Sequence, residues 1–260
     1  MNQTFLPVTA PSAPPAFASG LRAYGDAVAL LTAAGPVGYD ALADRADAFA
    51  RRLGAGRKLV AIEAAAAVEV VAAYLGALAA GLAVALVAAG DMDSFRARFQ
   101  PDAVYRRTNG RWCLLIDGRG GAALHPDLAL VLMTSGSTGH GKAVRLSARA
   151  VEANTAAVAS YLGLTGDERA ALVLPLHYSY GLSVLNSHLS VGASVWLAEG
   201  GLLAPDFLDN LREMRATGLS TVPHGHEVLA RIGFGTADLP DLHTLTVAGG
   251  ALPVPRVRAL

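Results

Sequence analysis

Beyond residue 36, apolar positions along the chain alternate between a helical period and short continuous runs. In YDALADRADAFARRLGAG, Leu42, Ala46, Phe49 and Leu53 recur at spacings of four, three and four, which lines one face of an amphipathic helix. KLVAIE follows as a strand. An alanine-rich helix then begins after Glu69 and ends at Gly81, and LAVALVA is a second strand. Asp91 stands where it can cap a short helix through Phe99. WCLLID and LALVLM are further runs of strand length. After a glycine-rich loop at residues 134–142, Ser147 is expected to cap a helix reaching about Leu162. AALVLP reads as a strand, residues 180–189 as a helix and ASVWLA as a strand. PDFLDNLREMRATG has proline near its start and Gly218 at its end, the asymmetry of a helix. LSTV and TLTVAGG complete the series. Strands this uniformly apolar are buried on both faces, so the pattern predicts an α/β fold of mainly parallel sheet covered by helices.

One stretch changes this picture if taken by itself. Residues 70–90 carry no charge and are long enough to cross a bilayer. Alanine and glycine dominate them, however, and Gly81 divides them into a helix and a strand, so a buried helix–strand unit is expected and no membrane span. The 260 residues include 21 basic and 21 acidic side chains, a balance that offers nucleic acid no basic face. A single cysteine, Cys113, excludes an internal disulfide and suits a reducing cytoplasm. The first twenty residues have no basic side chain and no continuous apolar core. They are not a secretory signal but a proline-rich arm, expected to be extended.

The chemistry concentrates in LMTSGSTGHGKAV, which packs four hydroxyl side chains, three glycines and a lysine behind an apolar run. Successive N–H groups of a glycine-rich turn form a concavity for anions, hydroxyls add donors and lysine adds charge. Gly136, Gly141 and Lys142 match the spacing of a Walker A loop, but Ala143 lacks the hydroxyl that would bind magnesium. A Walker loop also runs directly into a helix. Here Lys142 precedes AVRLS, a strand-like alternation, and the helix begins only after Ser147. The P-loop NTPase reading is therefore set aside for a loop between two strands.

Thr134, Ser135, Gly136, Ser137, Thr138 and Gly139, followed by Lys142, closely resemble the [ST]-S-G-[ST]-T-G-x-P-K-G signature of the adenylate-forming superfamily. That superfamily comprises acyl-CoA synthetases, luciferases and peptide-synthetase adenylation domains. Gly141 replaces the usual proline and Ala143 the usual glycine. VGYDALADRADAFARRL, YLGALAAGLAVALV, LPLHYSYGLS and LTVAGGALP resemble four more family segments in the right order. The resemblance implies two stacked α/β lobes with helices outside, of which this chain is the N-terminal part. Residues 57–165 would form the lobe carrying the phosphate loop. Residues 21–56 with 166–260 would form the lobe carrying the acyl pocket, and residues 1–20 the arm.

It also implies a reaction: a small carboxylic acid attacks ATP to give an acyl-adenylate, and a thiol then takes the acyl group. The thiol belongs to coenzyme A or to the phosphopantetheine of an acyl carrier protein. By the same resemblance, Thr134, Ser135, Ser137, Thr138 and Lys142 would hold phosphates, with Gly136 and Gly139 permitting close approach. Gly249, Gly250 and Ala251 would floor the space between adenine and acyl group. His177 would sit at the reacting carboxylate, as the catalytic residue. Tyr178, Tyr180 and Gly181 would border the substrate pocket. Read from the residues alone, His177 better suits a buried structural imidazole, a preference that the resemblance reverses, and the two tyrosines equally suit ordinary packing. Glycine at 181, where amino-acid-activating relatives carry aspartate, points to a plain acid.

His224 and His226 beside Glu227 lack the third and fourth ligands that zinc needs, so no metal site is expected there. The family's magnesium-binding glutamate follows the GGALP turn and has no counterpart in this sequence. Three readings stay open: part of an acyl-activating ligase, half of a split ligase completed by a separate C-terminal half, or a non-catalytic remnant that binds nucleotide or acyl ligand.

Overall fold

The computed structural model describes residues 13–117, 123–134 and 142–253. A short helical turn, α1 (Ala16–Ser19), precedes a hairpin of β1 (Val28–Thr32) and β2 (Gly35–Gly38). Helix α2 (Tyr39–Leu53), β3 (Leu59–Glu63), α3 (Val68–Ala79), β4 (Ala83–Val87) and α4 (Met92–Phe99) follow. A second hairpin pairs β5 (Ala103–Thr108) with β6 (Arg111–Ile116), and a third pairs β7 (Leu128–Met133) with β8 (Ala143–Ser147). The remainder runs α5 (Ala148–Leu162), β9 (Arg169–Leu172), α6 (Ser179–Ser190), β10 (Ser194–Leu197) and α7 (Phe207–Glu213). It ends with β11 (Gly218–Thr221), α8 (Pro223–Arg231) and β12 (Thr244–Val247).

Among the described residues the strands form two six-stranded sheets. Sheet one has the order β12-β11-β9-β10-β1-β2, parallel except for β2. Sheet two has the order β6-β5-β3-β4-β7-β8, parallel except for its two edge strands. The alternation within each strand explains the layering. Val60 and Ile62 of β3 share one core with Leu30, Val195, Leu197 and Leu172 of sheet one and with residues of α2, α3, α5 and α6. Leu59 and Ala61 point the other way, onto Met92 and Phe95 of α4. Trp196 and Leu219 face outward onto Phe207 and Leu211 of α7 and Leu229 of α8. The order is thus helix, sheet, helices, sheet, helices. The expected outer helices are present, and a further helical layer fills the space between the sheets.

That middle layer depends on small residues. A Cβ at Gly76 of α3 would lie 2.2 Å from the carbonyl oxygen of Ala46 on α2, so the two helices meet backbone to backbone. The uncharged stretch 70–90 is α3, a turn with Gly81 at φ +71°, and β4. Among the described residues no helix is long and apolar enough to cross a membrane.

Several local expectations change. Ser147 caps α5 as its sequence suggests, accepting from the N–H of Ala150 at 3.1 Å, but Asp91 makes no side-chain cap on α4. Proline takes the first helical turn in α8 rather than in α7. The first twenty residues are not uniformly extended: Phe17 and Ala18 are buried, and the Phe17 ring stacks 6.5 Å from Tyr74. An aromatic ring that can cover a helix is held by burial, whatever prolines precede it.

Candidate functional site

Parallel strands bring their C-terminal ends to one edge of a sheet, and loops leaving that edge carry ligand sites in open α/β folds. In sheet one, His177 and Tyr178 follow β9, Val222 and Pro223 follow β11, and Gly249 and Gly250 follow β12. In sheet two, Asp91 follows β4 and Thr134 follows β7. Burial lowers the His177 pKa, and the Asp91 carboxylate partly opposes that shift across the space between the sheets. Asp91 and His177 thus stand near each other at the C-terminal ends of the two sheets, and burial keeps the imidazole neutral. The His177 Nδ1 atom is buried and has no hydrogen-bond partner.

The phosphate-loop candidate springs from an antiparallel pair. The Thr134 N–H donates to the Lys142 carbonyl at 2.9 Å, and the Lys142 N–H to Thr134 Oγ1 at 3.3 Å. These bonds extend the β7–β8 ladder by one step and close the loop at its base. The helix α5 starts only after β8. Strand, loop and strand is the order read from the sequence, and it is incompatible with a Walker loop. Thr134 and Lys142 are both exposed. Ser135, Gly136, Ser137, Thr138 and Gly139 lie outside the described residues.

Tyr178 stands at the N-terminal end of α6, and its hydroxyl occupies the place where a residue-249 side chain would lie. A Cβ on Gly249 would come 2.6 Å from Tyr178 Oη. Gly249 also has φ +86°, so glycine is required there twice over. A Cβ on Gly250 would meet Pro223 at 3.2 Å. Three segments of sequence thus meet at one point: LHYSY, VPHGH and AGGALP. Ala251 is exposed beside them. The rings of Tyr178 and Tyr180 lie edge to face, 6.5 Å apart.

Gly181 is a correction. Its missing side chain would strike the carbonyl oxygens of Pro175 at 2.5 Å and Leu174 at 2.8 Å, so the position faces backbone rather than a pocket. No side chain fits there, acidic or otherwise, and glycine at 181 carries no message about an amine on the substrate.

Sequence reasoning passed over Ser220, Thr221 and Thr246. Tyr180 Oη lies 2.7 Å from Thr246 Oγ1, and Thr246 Oγ1 lies 2.8 Å from Ser220 Oγ, giving a chain of three hydroxyls on sheet one. Their signal was weak, since serine and threonine in LSTV and TLTV look like ordinary strand residues. His226, 4% exposed, has no partner for either ring nitrogen, and burial lowers its pKa. The Thr221 hydroxyl is buried and unpartnered as well. His224 Nδ1 lies 3.5 Å from Glu227 Oε2. Among the described residues no three histidine, cysteine, aspartate or glutamate side chains gather where they could hold a metal ion.

Comparison with known proteins matches residues 121–260 to the family model for AMP-binding enzymes. The chain belongs to the AMP-binding enzyme family. The match takes in β7, the glycine loop, the His177 segment and the Gly249–Gly250 turn. Novobiocin biosynthesis protein H of Streptomyces niveus is 34% identical over 141 residues, covering 53% of this chain and 22% of that protein. Oxalate–CoA ligase of Arabidopsis thaliana is 34% identical over 108 residues, 40% of this chain and 21% of that enzyme. The matched part of the chain thus spans less than a quarter of either relative.

Among solved structures, a complex of VinN with L-aspartate superposes with a TM-score of 0.81 at 19% identity, covering 97% of this chain and 73% of VinN. ATP-bound MatB from Rhodopseudomonas palustris superposes at 0.77 with 22% identity, covering 93% of this chain and 57% of MatB. Both likenesses concern the fold.

Proposed function

We propose that these residues belong to a ligase that activates a carboxylic acid with ATP. The observation that carries this reading is the position of His177. It follows β9 at the C-terminal end of sheet one, next to the Tyr178 that meets Gly249, with a buried Nδ1 atom that no described group partners. Membership of the AMP-binding family, the ligase among the relatives and the ATP-bound neighbour support it.

In the proposed reaction a carboxylate oxygen bonds to the α-phosphorus of ATP, the bond from that phosphorus to the β-phosphate oxygen breaks, and pyrophosphate leaves. A thiolate then attacks the acyl carbon and AMP departs. Acid and nucleotide are both anions, so the site must neutralise them and hold them in line. The loop from Thr134 through Ser135, Gly136, Ser137, Thr138 and Gly139 to Lys142 takes the β- and γ-phosphates. Closure of its base by the Thr134–Lys142 bonds fixes where its donors emerge. His177, kept neutral by burial, donates a hydrogen bond to the carboxylate as charge shifts in the reaction, without adding a cation that would hold the ground state. Tyr178, Gly249 and Gly250 form the wall between nucleotide and acid. Coenzyme A or a carrier-protein phosphopantetheine is the proposed acceptor. Magnesium would enter with ATP, and no described cluster holds it, so no step is assigned to it.

The test is acid-dependent exchange of labelled pyrophosphate into ATP, with ATP binding measured by calorimetry alongside. Exchange that requires an acid supports the reading. ATP binding without exchange for any acid favours a binding module that no longer catalyses, and absence of ATP binding overturns both.

A further inference from the structure

We propose that the acid taken by this site carries a hydroxyl group at the end away from its carboxylate, and that the Tyr180–Thr246–Ser220 chain reads it. This rests on the acid-activation reading above and adds the substrate class to it.

The inner face of sheet one changes character along one row. Leu197 of β10 pairs with Leu172 of β9, and both are buried in the core between the sheets. Gly218 pairs with Ala170, which puts Ser220 of β11 level with Leu172, and Ser220 pairs in turn with Thr246 of β12. The row therefore runs Leu197, Leu172, Ser220, Thr246. It is aliphatic toward β10 and hydroxylated toward β12, where Tyr180 in the first turn of α6 reaches Thr246. Ser220, Thr246 and Tyr180 are all half-buried, so each keeps some accessible surface among the described residues. Thr246 lies three residues before Gly249, whose contact with Tyr178 marks the proposed boundary between nucleotide and acid. The hydroxyl chain thus lies close to that boundary, and in the proposed site it takes the acid's side.

The chemistry of the three groups limits what they can bind. Three hydroxyls own three hydrogens, and the two bonds among them, at 2.7 and 2.8 Å, use two. One hydrogen is left to donate outward, and each oxygen keeps acceptor capacity. Either member of each pair can donate, so the spare hydrogen can sit on any of the three oxygens. In every arrangement one outward donor stands beside an outward acceptor. A ligand hydroxyl, itself donor and acceptor, complements that pair. A second carboxylate finds a single hydrogen here, and none of Tyr180, Ser220 and Thr246 carries a charge to balance a charged group.

The experiment compares acids that differ only by hydroxyl against methyl: 4-hydroxybutanoate with pentanoate, and 4-hydroxyphenylacetate with 4-methylphenylacetate. Each is titrated in the presence of ATP by calorimetry, on the unaltered protein and on Tyr180→Phe, Thr246→Val and Ser220→Ala. Near-UV circular dichroism reports whether each variant is folded. In the unaltered protein one hydroxylated acid binds at least about tenfold more tightly than its methyl partner, as a site built to hydrogen-bond a hydroxyl discriminates against the analogue that lacks it. In each folded variant that ratio falls below about threefold. Equal binding of both partners, preference for the methyl acid, or a ratio unchanged in all three variants overturns the inference while leaving acid activation standing. Failure of every acid, charged acids included, to bind in the presence of ATP overturns the proposed function as well.

Discussion

Replacing Gly249 by alanine asks two separate things of the turn. The first is conformational: at φ +86° an L-residue is strained by about 1–2 kcal/mol. The second is a collision. The new methyl would sit 2.6 Å from Tyr178 Oη, about 1 Å inside ordinary contact, but 3.9 Å from Tyr178 Cζ, which is comfortable. Overpacking of that kind costs about 1–3 kcal/mol. The two parts separate in a double-mutant cycle. Tyr178→Phe removes the oxygen and leaves the ring, so Gly249→Ala in that background pays only for the backbone. Gly249→Ala is expected to destabilise the otherwise unaltered protein by about 2–5 kcal/mol and the Tyr178→Phe variant by about 1–2 kcal/mol. Urea unfolding followed by the fluorescence of Trp112 and Trp196 measures each corner. A cost for Gly249→Ala that agrees within about 0.5 kcal/mol in the two backgrounds would refute the contact and remove the wall between the proposed nucleotide and acid positions.

Further outcomes follow from other parts of the fold. Lys142→Ala should weaken ATP binding roughly ten- to a hundredfold by calorimetry, the loss of a charge-assisted contact of about 1.5–3 kcal/mol; unchanged affinity takes the lysine out of the site. Gly76→Ala forces α3 away from Ala46 and should cost about 1–3 kcal/mol, read as a Tm lower by several degrees, and an unaltered Tm contradicts the backbone contact. Burial lowers the pKa of His188 and of His226, so the unfolded chain takes up protons first on acidification. Stability is then full above about pH 6.5 and falls as pH drops toward the lowered values, by at most about 1.4 kcal/mol per pH unit for each histidine. His226→Met removes one share of that slope and leaves no unpartnered ring nitrogens behind; a slope as steep as the original disproves the assignment.

The helices and central strands were legible because burial on one stripe or on both faces leaves a period that survives in sequence: Leu42, Ala46, Phe49 and Leu53 on α2, or VAIE on β3. Hairpins were harder. Residues 103–108 read AVYRRT, apolar for half their length and charged thereafter, because β5 ends at a solvent-facing turn. The turn itself, Asn109 and Gly110 with φ +50° and +78°, is the pair that favours a tight hairpin, and it was the available signal. For the site, motif spacing singles out the glycine loop and His177 as candidates, since both readings depend on residue type. The meaning of Gly181 was not available, because a missing side chain reads the same whether it opens a pocket or admits a neighbouring backbone. The hydroxyl chain was hidden for a related reason: it joins positions 180, 220 and 246, which are adjacent only through the register of β11 on β12.

Sheet two is drawn from one unbroken stretch of chain, residues 59–147, whereas β1 waits for a partner far downstream, with Leu30 set opposite Val195. A nascent polypeptide can therefore finish the second sheet while the opening hairpin still has a bare edge. That edge must stay unpaired through the synthesis of more than half the chain. The same interleaving leaves the earliest strand with one open edge until β10 is made.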